Sequence, residues 1–255
     1  MPLEILTIPC LQDNYAYLIH DAASGQTALV DVPEASPILA ELSQRGWALS
    51  EVWITHHHPD HVDGLPEVLA QHPVKVVGSK GDAHRLPPLD VAVADADNFK
   101  FGGETVQVLD MSGHTIDHIA FYLPESDAFF TADSLMVMGC GRLFEGTPAQ
   151  MYSSLLKTAE MPSQTRIYSG HEYTASNASF ATTVDPANPA LILRIEDIED
   201  KRANGLPTIP STLELERETN PFLRADNPED QEHLNLTGAS PVEVFTEIRA
   251  RKDRF

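Results

Sequence analysis

Thr55-His56-His57-His58-Pro59-Asp60-His61 is the stretch that determines both the fold class and the chemistry of this chain. It follows an apolar run at residues 52–54 that has the composition of a strand. Side chains alternate along an extended chain, so His56, His58 and Asp60 point to one side and His57 to the other. Pro59 disfavours the helical conformation for His58, which keeps this path extended.

This cluster combines imidazole and carboxylate donors within six residues. The turn into the next predicted helix brings His61 round to the same side as His56, His58 and Asp60. Such a donor set suits zinc, iron or manganese. Neighbouring histidines are also compatible with an exposed polar loop, but the H-x-H-x-D-H spacing at a strand end is more specific to metal binding. We therefore predict a metal site and assign His57 to packing or to a position behind the ligands.

Three more metal-capable residues follow short predicted strands farther along the chain. They are His114 in Ser112-Gly113-His114-Thr115, Asp133 in Thr131-Ala132-Asp133-Ser134, and His171 in Ser169-Gly170-His171-Glu172. Loops at strand ends commonly carry functional side chains. Each residue alone is a weak indication, but together with the first cluster they complete a metal centre.

The pattern of elements predicts an α/β fold. Strand patterns alternate with helical ones up to about residue 173, and helical patterns with Pro- and Asn-rich connectors follow. We predict a mixed α/β domain at residues 1–173 and a smaller helical domain at residues 174–255. Predicted strands are residues 5–8, 15–20, 27–32, 51–55, 75–77, 105–110, 118–123, 128–132 and 166–169; predicted helices are residues 36–45, 62–72, 148–159, 174–183, 189–204, 211–218 and 241–251.

Composition restricts the classes of partner. The chain has 255 residues and a formal net charge of −21, so no basic surface for nucleic acid is expected. Its apolar runs are strand-sized, which predicts no membrane span. Two cysteines, Cys10 and Cys140, and an N-terminus without a basic region favour a reduced, cytoplasmic protein. We expect a monomer by default.

The motifs together resemble those of the metallo-β-lactamase superfamily, and within it the chain is similar to glyoxalase II, the hydroxyacylglutathione hydrolases. The resemblance covers essentially the whole chain. The metal motif specifies only the superfamily. The narrower family is indicated by Cys140-Gly141-Arg142-Leu143-Phe144-Glu145-Gly146 and by the C-terminal basic pair, Arg249 and Lys252. The resemblance also includes Asn220-Pro221-Phe222-Leu223-Arg224.

The resemblance implies a four-layer αββα sandwich followed by a helical C-terminal part that shapes the substrate site. It also implies two divalent metal ions, zinc before iron or manganese. His56, His58 and His114 would hold the first ion. Asp60, His61 and His171 would hold the second, and Asp133 would bridge the two.

The implied activity is hydrolysis of the thioester S-D-lactoylglutathione to glutathione and D-lactate, the second step of methylglyoxal detoxification. A hydroxide held by the two metals would attack the thioester carbonyl, oriented by Asp60 or Asp133. The family's glutathione contacts map onto four residues: Arg142, Tyr173, Arg249 and Lys252. Some family members carry Tyr where this chain has Phe144, so one hydroxyl contact is missing. A basic helix end at residues 249–254 is also typical of a solvated surface.

Other readings remain open from the sequence. A lactonase would have little use for Arg249 and Lys252, and a persulfide dioxygenase would keep one iron, whereas Asp60 and His171 favour two metals. A non-catalytic electron-transfer module would carry a carboxylate in place of one histidine. Asp31, more than Asp110, is expected to support a metal-binding histidine or to cap a turn. Cys140 is not expected to act as a nucleophile.

Overall fold

The computed structural model describes residues 3–255, and the chain divides into two compact units. Within the described residues, unit 1 comprises residues 3–110 and Asp117–Thr131, and unit 2 comprises Met111–Ile116 and Ala132–Phe255. Unit 2 therefore includes a short segment from the middle of the sequence. The predicted division between residues 173 and 174 follows sequence order rather than spatial compactness, and it stays a prediction.

Unit 1 is built on two sheets. The first has six strands in chain order; β1, β2 and β3 are antiparallel, and β3 to β6 run parallel. The strands of the second sheet that belong to unit 1 are β10-β9-β8-β7 in that order, all antiparallel. The strands are β1 (Glu4–Cys10), β2 (Asn14–Asp21), β3 (Gln26–Val30), β4 (Glu51–Trp53), β5 (Lys75–Ser79), β6 (Val91–Val93), β7 (Asn98–Phe101), β8 (Glu104–Asp110), β9 (Ile119–Leu123) and β10 (Ala128–Ala132), the last ending at the unit boundary.

Alternation along β4 explains how unit 1 is layered. Val52 packs into an aliphatic core with helices α1 (Ala35–Arg45) and α3 (Leu65–Gln71), which cover one face of the first sheet. Trp53 points the other way, and its ring lies 5.3 Å from that of Phe121 in the second sheet. Successive strand residues thus bury opposite faces. Unit 1 consists of three layers, helix on sheet on sheet, with the short α2 (Pro59–Val62) after the end of β4.

Unit 2 is mainly helical, with a small core that includes Phe180, Phe222 and Phe245. Capping boxes begin two of its helices, at Thr147 and Ser240. Its elements are the hairpin β11 (Leu135–Met136) and β12 (Gly139–Cys140), α4 (Pro148–Leu156), β13 (Arg166–Ser169), α5 (Thr174–Ala181), α6 (Pro189–Ala203), β14 (Ser211–Thr212), α7 (Leu213–Thr219), α8 (Pro228–His233) and α9 (Pro241–Arg254).

Most predicted elements are present, and the differences have local causes. The helix predicted at residues 62–72 is divided around Gly64, where a Cβ would lie 2.8 Å from the Ala35 backbone nitrogen. Helix α1 begins at Ala35, one residue before the predicted start at residue 36, and its N-cap is Glu34, whose carboxylate accepts from the Leu11 amide rather than capping the helix. Short elements escaped prediction, namely β6, β7, β11, β12, β14 and α8. Among the described residues, no helix has the length and apolar content that crossing a membrane requires.

Candidate metal centre

The histidine cluster of unit 1 lies where the sequence predicts it, directly after β4. His58 is extended (φ −62°, ψ 143°), and α2 begins at the next residue, Pro59. His56 Nε2 and His58 Nδ1 are 3.1 Å apart, so these two side chains share one side of the chain. Asp60 lies in the first turn of α2, and its carboxylate accepts from Asn14 Nδ2 at 3.1 Å.

Asp31 holds His61 from behind. Its Oδ2 lies 2.8 Å from His61 Nδ1 and accepts from the Thr55 hydroxyl, while Oδ1 accepts from the Thr55 amide at 2.9 Å. A carboxylate at Nδ1 favours the tautomer whose Nε2 carries the lone pair, the usual arrangement of a metal-ligating histidine. Single ligand atoms of Asp31, His56 and His61 lie within 4.8 Å of one another. The supporting role predicted for Asp31 agrees with this geometry.

Two other histidines flank the cluster. His57 points away, and its Nδ1 is 2.8 Å from Oδ2 of the buried Asp82, which agrees with its assignment outside the ligand set. The ring of the fully buried His118 stacks on that of His56, with centroids 4.7 Å apart. His118 was not singled out from the sequence, because this residue stands at the start of a predicted strand. The one signal for a role near the metal site was its spacing of four residues from His114.

Unit 2 contributes a second group of candidate ligands, His114, Asp133 and His171. His114 Nδ1 lies 2.7 Å from the Arg142 carbonyl oxygen and must donate to it, because a carbonyl can only accept. His114 Nε2 and His171 Nε2 lie 3.4 and 3.2 Å from the same Asp133 oxygen, Oδ2. All three side chains are buried.

These residues fit a divalent metal ion. With its proton on Nδ1, neutral His114 turns the lone pair of Nε2 toward the Asp133 carboxylate, so two acceptors face each other in a buried place. Such an arrangement is unfavourable unless a cation or a proton lies between the acceptors. Zinc, iron and manganese all bind imidazole nitrogen and carboxylate oxygen.

The backbone around the unit 2 ligands is closely packed. A Cβ on Gly141 would lie 1.9 Å from the Asp133 carbonyl oxygen and 2.9 Å from His114 Nδ1. Two hydrogen bonds join the loop at residues 113–114 to the loop at residues 144–146. The Phe144 amide donates to the His114 carbonyl, and the Gly146 amide donates to the Gly113 carbonyl. Glycine is therefore required at position 141, because the backbone there passes too close to the candidate ligands Asp133 and His114 for any Cβ.

The predicted glutathione contacts all belong to unit 2, and they differ in exposure. The Arg142 side chain is 56% exposed, and Tyr173 is exposed with its ring stacked on His171 at 4.7 Å. Half-buried Lys252 donates to the Ser176 carbonyl at 3.1 Å and lies over the Phe180 ring. Phe144 is exposed, and its ring meets that of His114 edge-on at 5.3 Å.

Arg249 differs from the other three contacts because it is 6% exposed. Its Nη1 donates to the Cys140 carbonyl at 2.9 Å, Nη2 and Nε face Asp253 Oδ1 at 2.8 and 3.1 Å, and its guanidinium lies over the Phe222 ring. Cys10 and Cys140 are free and buried, and burial raises the pKa of the Cys140 thiol to about 11. This agrees with the prediction that Cys140 is not a nucleophile.

Replacing Asp31 by Asn should weaken metal binding by about 10- to 100-fold, the usual effect of losing a carboxylate behind a ligating histidine. Asparagine tolerates the left-handed backbone of Asp31 (φ 57°), so the change removes charge with little strain. Asp82→Asn is the matched control, because Asp82 is equally buried but holds His57. Chelator competition measures the affinity, and equal values for the two variants would refute the supporting role.

Comparisons with known proteins agree with this geometry. The family profile "Metallo-beta-lactamase superfamily" matches residues 12–171, and "Hydroxyacylglutathione hydrolase C-terminus" matches residues 172–255. The chain is 62% identical to proteins named "Hydroxyacylglutathione hydrolase" from Roseobacter denitrificans and from Ruegeria pomeroyi, in both cases over 100% of each chain. The crystal structure of ETHE1 from Myxococcus xanthus is 26% identical, with a TM-score of 0.66 over 99% of this chain and 98% of that one.

These matches confirm the predicted metallo-β-lactamase fold with a helical C-terminal part, and the resemblance seen in the motifs. The candidate ligands lie within the first profile, and Arg249 and Lys252 within the second. The chain belongs to the hydroxyacylglutathione hydrolase family of the metallo-β-lactamase superfamily.

Proposed function

We propose that this protein is a thioester hydrolase that converts S-D-lactoylglutathione to glutathione and D-lactate. The observation that carries the proposal is the 62% identity over the full chain to two proteins named hydroxyacylglutathione hydrolase. The ligand groups of both units and the exposed cationic residues of unit 2 support it. The relatives do not favour the alternative of a lactonase or a persulfide dioxygenase.

The proposed resident cofactor is a pair of divalent metal ions, zinc before iron or manganese. His56, His58 and His114 would hold one ion, Asp60, His61 and His171 the other, and Asp133 both. Bound there, the ions would lower the pKa of a shared water and polarise the thioester carbonyl. Elemental analysis of the purified protein would identify the metals and their number.

The protein's own residues supply orientation and charge. In the proposed mechanism, Asp60 or Asp133 orients the attacking oxygen, while Tyr173, stacked on His171, borders the site with an exposed aromatic face. The leaving thiolate needs no strong general acid, because a free thiol has a pKa of about 8.5.

Attraction of the substrate depends on a few local cations. Glutathione carries two carboxylates, and the chain as a whole carries a formal charge of −21. Arg142 and Lys252 are the exposed and half-buried cations proposed to meet those carboxylates, and Arg249 adds its charge from a buried position. Guanidinium groups suit bidentate carboxylate binding, and an ammonium acts as a point charge.

Loss of thioester absorbance with S-D-lactoylglutathione tests the function, with a simple S-acyl thioester lacking the glutathione part as control. Rapid turnover of the first and poor turnover of the second would support both the hydrolysis and the glutathione site. No turnover of either by metal-loaded protein would reject the proposal and leave the family assignment intact.

We further propose a cytoplasmic monomer, and light scattering in solution would measure its mass.

Substrate affinity should fall as pH rises through about 8. Burial, and secondarily the charge of Arg249, lowers the pKa of Lys252 to about 8. The ammonium is charged below that pH and neutral above it, so attraction for a glutathione carboxylate is lost on the alkaline side. KM should therefore rise above pH 8 in the wild type, and less in Lys252→Arg, which stays charged. The same alkaline rise in both proteins would exclude Lys252 as its source.

A further inference from the structure

The motif Asn220-Pro221-Phe222-Leu223-Arg224 has no role in the proposed reaction, yet its first residue is completely buried. The Asn220 amide nitrogen donates to the carbonyls of Met136 and Gly139, at 3.2 and 3.0 Å. These carbonyls belong to β11 and β12, on either side of the turn of the hairpin. Asn220 therefore bridges both strands of the hairpin.

Other side chains from the helical part bind the same turn. Glu216 of α7 accepts from the Met138 amide at 2.8 Å, and Asn177 of α5 donates to the Val137 carbonyl at 3.1 Å. Arg249 of α9 donates to the Cys140 carbonyl. Each of the five consecutive residues 136–140 thus has a backbone polar group bound by the side chain of a residue that follows residue 173 in the chain.

Glu216 is itself fixed in place. Both Arg194 and Asn220 donate to its carboxylate, and Arg194 also donates to the Ser211 hydroxyl at 2.7 Å. Glu216 is fully buried, and Arg194 is 7% exposed. A buried, fully bonded network of this kind specifies one arrangement, because any unpaired member is costly. Met138 has a positive φ of 62°, which a side chain other than glycine adopts only when its surroundings impose it.

The base of the hairpin is connected to two candidate metal ligands. The Gly141 amide donates to the Ser134 carbonyl and closes the hairpin. Asp133 directly precedes this closure, and Arg142, whose carbonyl accepts from His114 Nδ1, directly follows it. The position of the hairpin therefore sets the positions of two candidate ligands, Asp133 directly and His114 through the Arg142 carbonyl.

We propose that Asn220, with Glu216 and Asn177, is a positioning residue for the metal centre: through the hairpin it sets the Asp133 carboxylate and the His114 ring. The helical part would then serve the metal site as well as the substrate. This inference rests on the proposed metal ligands. It requires no direct contact of Asn220 with a ligand.

The test compares Asn220→Ala with Asn188→Ala. Asn188 is another asparagine of unit 2 whose amide donates to two oxygens, those of Asp185 and of the Glu218 carbonyl, and it caps α6 without touching the hairpin. Metal affinity is measured by chelator competition on the full chain, and folding by circular dichroism. We expect Asn220→Ala to bind metal about 10- to 100-fold more weakly than wild type, and Asn188→Ala to bind like wild type.

A folded Asn220→Ala protein with wild-type metal affinity would overturn the inference. Equal losses in Asn220→Ala and Asn188→Ala would overturn it too, because they would indicate general destabilisation. Should Asn220→Ala not fold, Asn177→Ala, which removes only the bond to Val137, must show the same metal-specific loss in smaller measure. The proposed function is tested separately on the wild-type protein. If the wild type binds no metal, both proposals fail. If the wild type binds two metals and hydrolyses the thioester, the variants test the positioning role alone.

Discussion

Replacing Asp133 by Ala should abolish most metal binding and lower turnover of the glutathione thioester by at least about 10³-fold, or about 4 kcal/mol of transition-state stabilisation. The reason is the geometry around Oδ2, which lies 3.4 Å from His114 Nε2 and 3.2 Å from His171 Nε2. Without the carboxylate, two buried imidazoles remain with no anionic donor between them. Losing a ligand should cost more than losing a residue behind a ligand, which typically costs about 10- to 100-fold.

Elemental analysis after dialysis, followed by kinetics at saturating metal, would measure both effects. Asp226→Ala serves as control, because Asp226 is an exposed aspartate of the same unit outside the ligand set. If Asp133→Ala retained the full metal content, its assignment as the bridging ligand would be wrong. Lost turnover with unchanged metal would instead indicate a role in orienting the nucleophile alone.

Replacing Gly141 by Ala should destabilise the protein by about 3 kcal/mol or more and weaken metal binding at the same time. A Cβ there would lie 1.9 Å from the Asp133 carbonyl oxygen, and backbone atoms cannot rotate away as a side chain does. Overpacking in a dense interior typically costs about 1–3 kcal/mol, and this contact is with backbone. Relief requires the base of the hairpin to move, which displaces both Asp133 and His114.

Gly78→Ala provides the comparison for this second variant. The atoms nearest to a Cβ at Gly78 are the methyl ends of Leu89 and Leu86, which can change rotamer. Thermal unfolding and chelator competition should therefore show a large change in Gly141→Ala and a small one in Gly78→Ala. A Gly141→Ala protein with normal metal affinity would show that the ligands tolerate movement of the hairpin.

The sequence predicted those parts of the site that depend on local order. Alternation after β4 and the constraint from Pro59 were enough to place His56 and His58 together and to turn His57 away. The helix starts predicted at residues 148 and 241 coincide with those of α4 and α9, which local capping boxes at Thr147 and Ser240 precede. The assignment of Arg142, Tyr173, Arg249 and Lys252 to glutathione came from the family resemblance and stays a prediction.

Other features depend on contacts far apart in sequence. Asn220 and Met136 are 84 residues apart, and no local pattern connects them. The two-residue strands of the hairpin are too short to show periodicity, and their hydrogen bonds go largely to side chains. The burial of Arg249 could not be predicted either, because a basic stretch such as residues 249–254 is equally compatible with a solvent-exposed helix end.

The hydrogen bonding of the hairpin limits how this protein could be re-engineered. A chain ending at residue 173 would leave the carbonyls of Met136, Val137, Gly139 and Cys140 without the side chains that bind them. The helical segment is therefore no detachable specificity module, and exchanging it wholesale for that of a distant relative would disturb the hairpin next to the candidate ligand Asp133. Libraries aimed at new acyl or thiol substrates should vary the exposed Phe144 and Tyr173, and keep the buried asparagines constant.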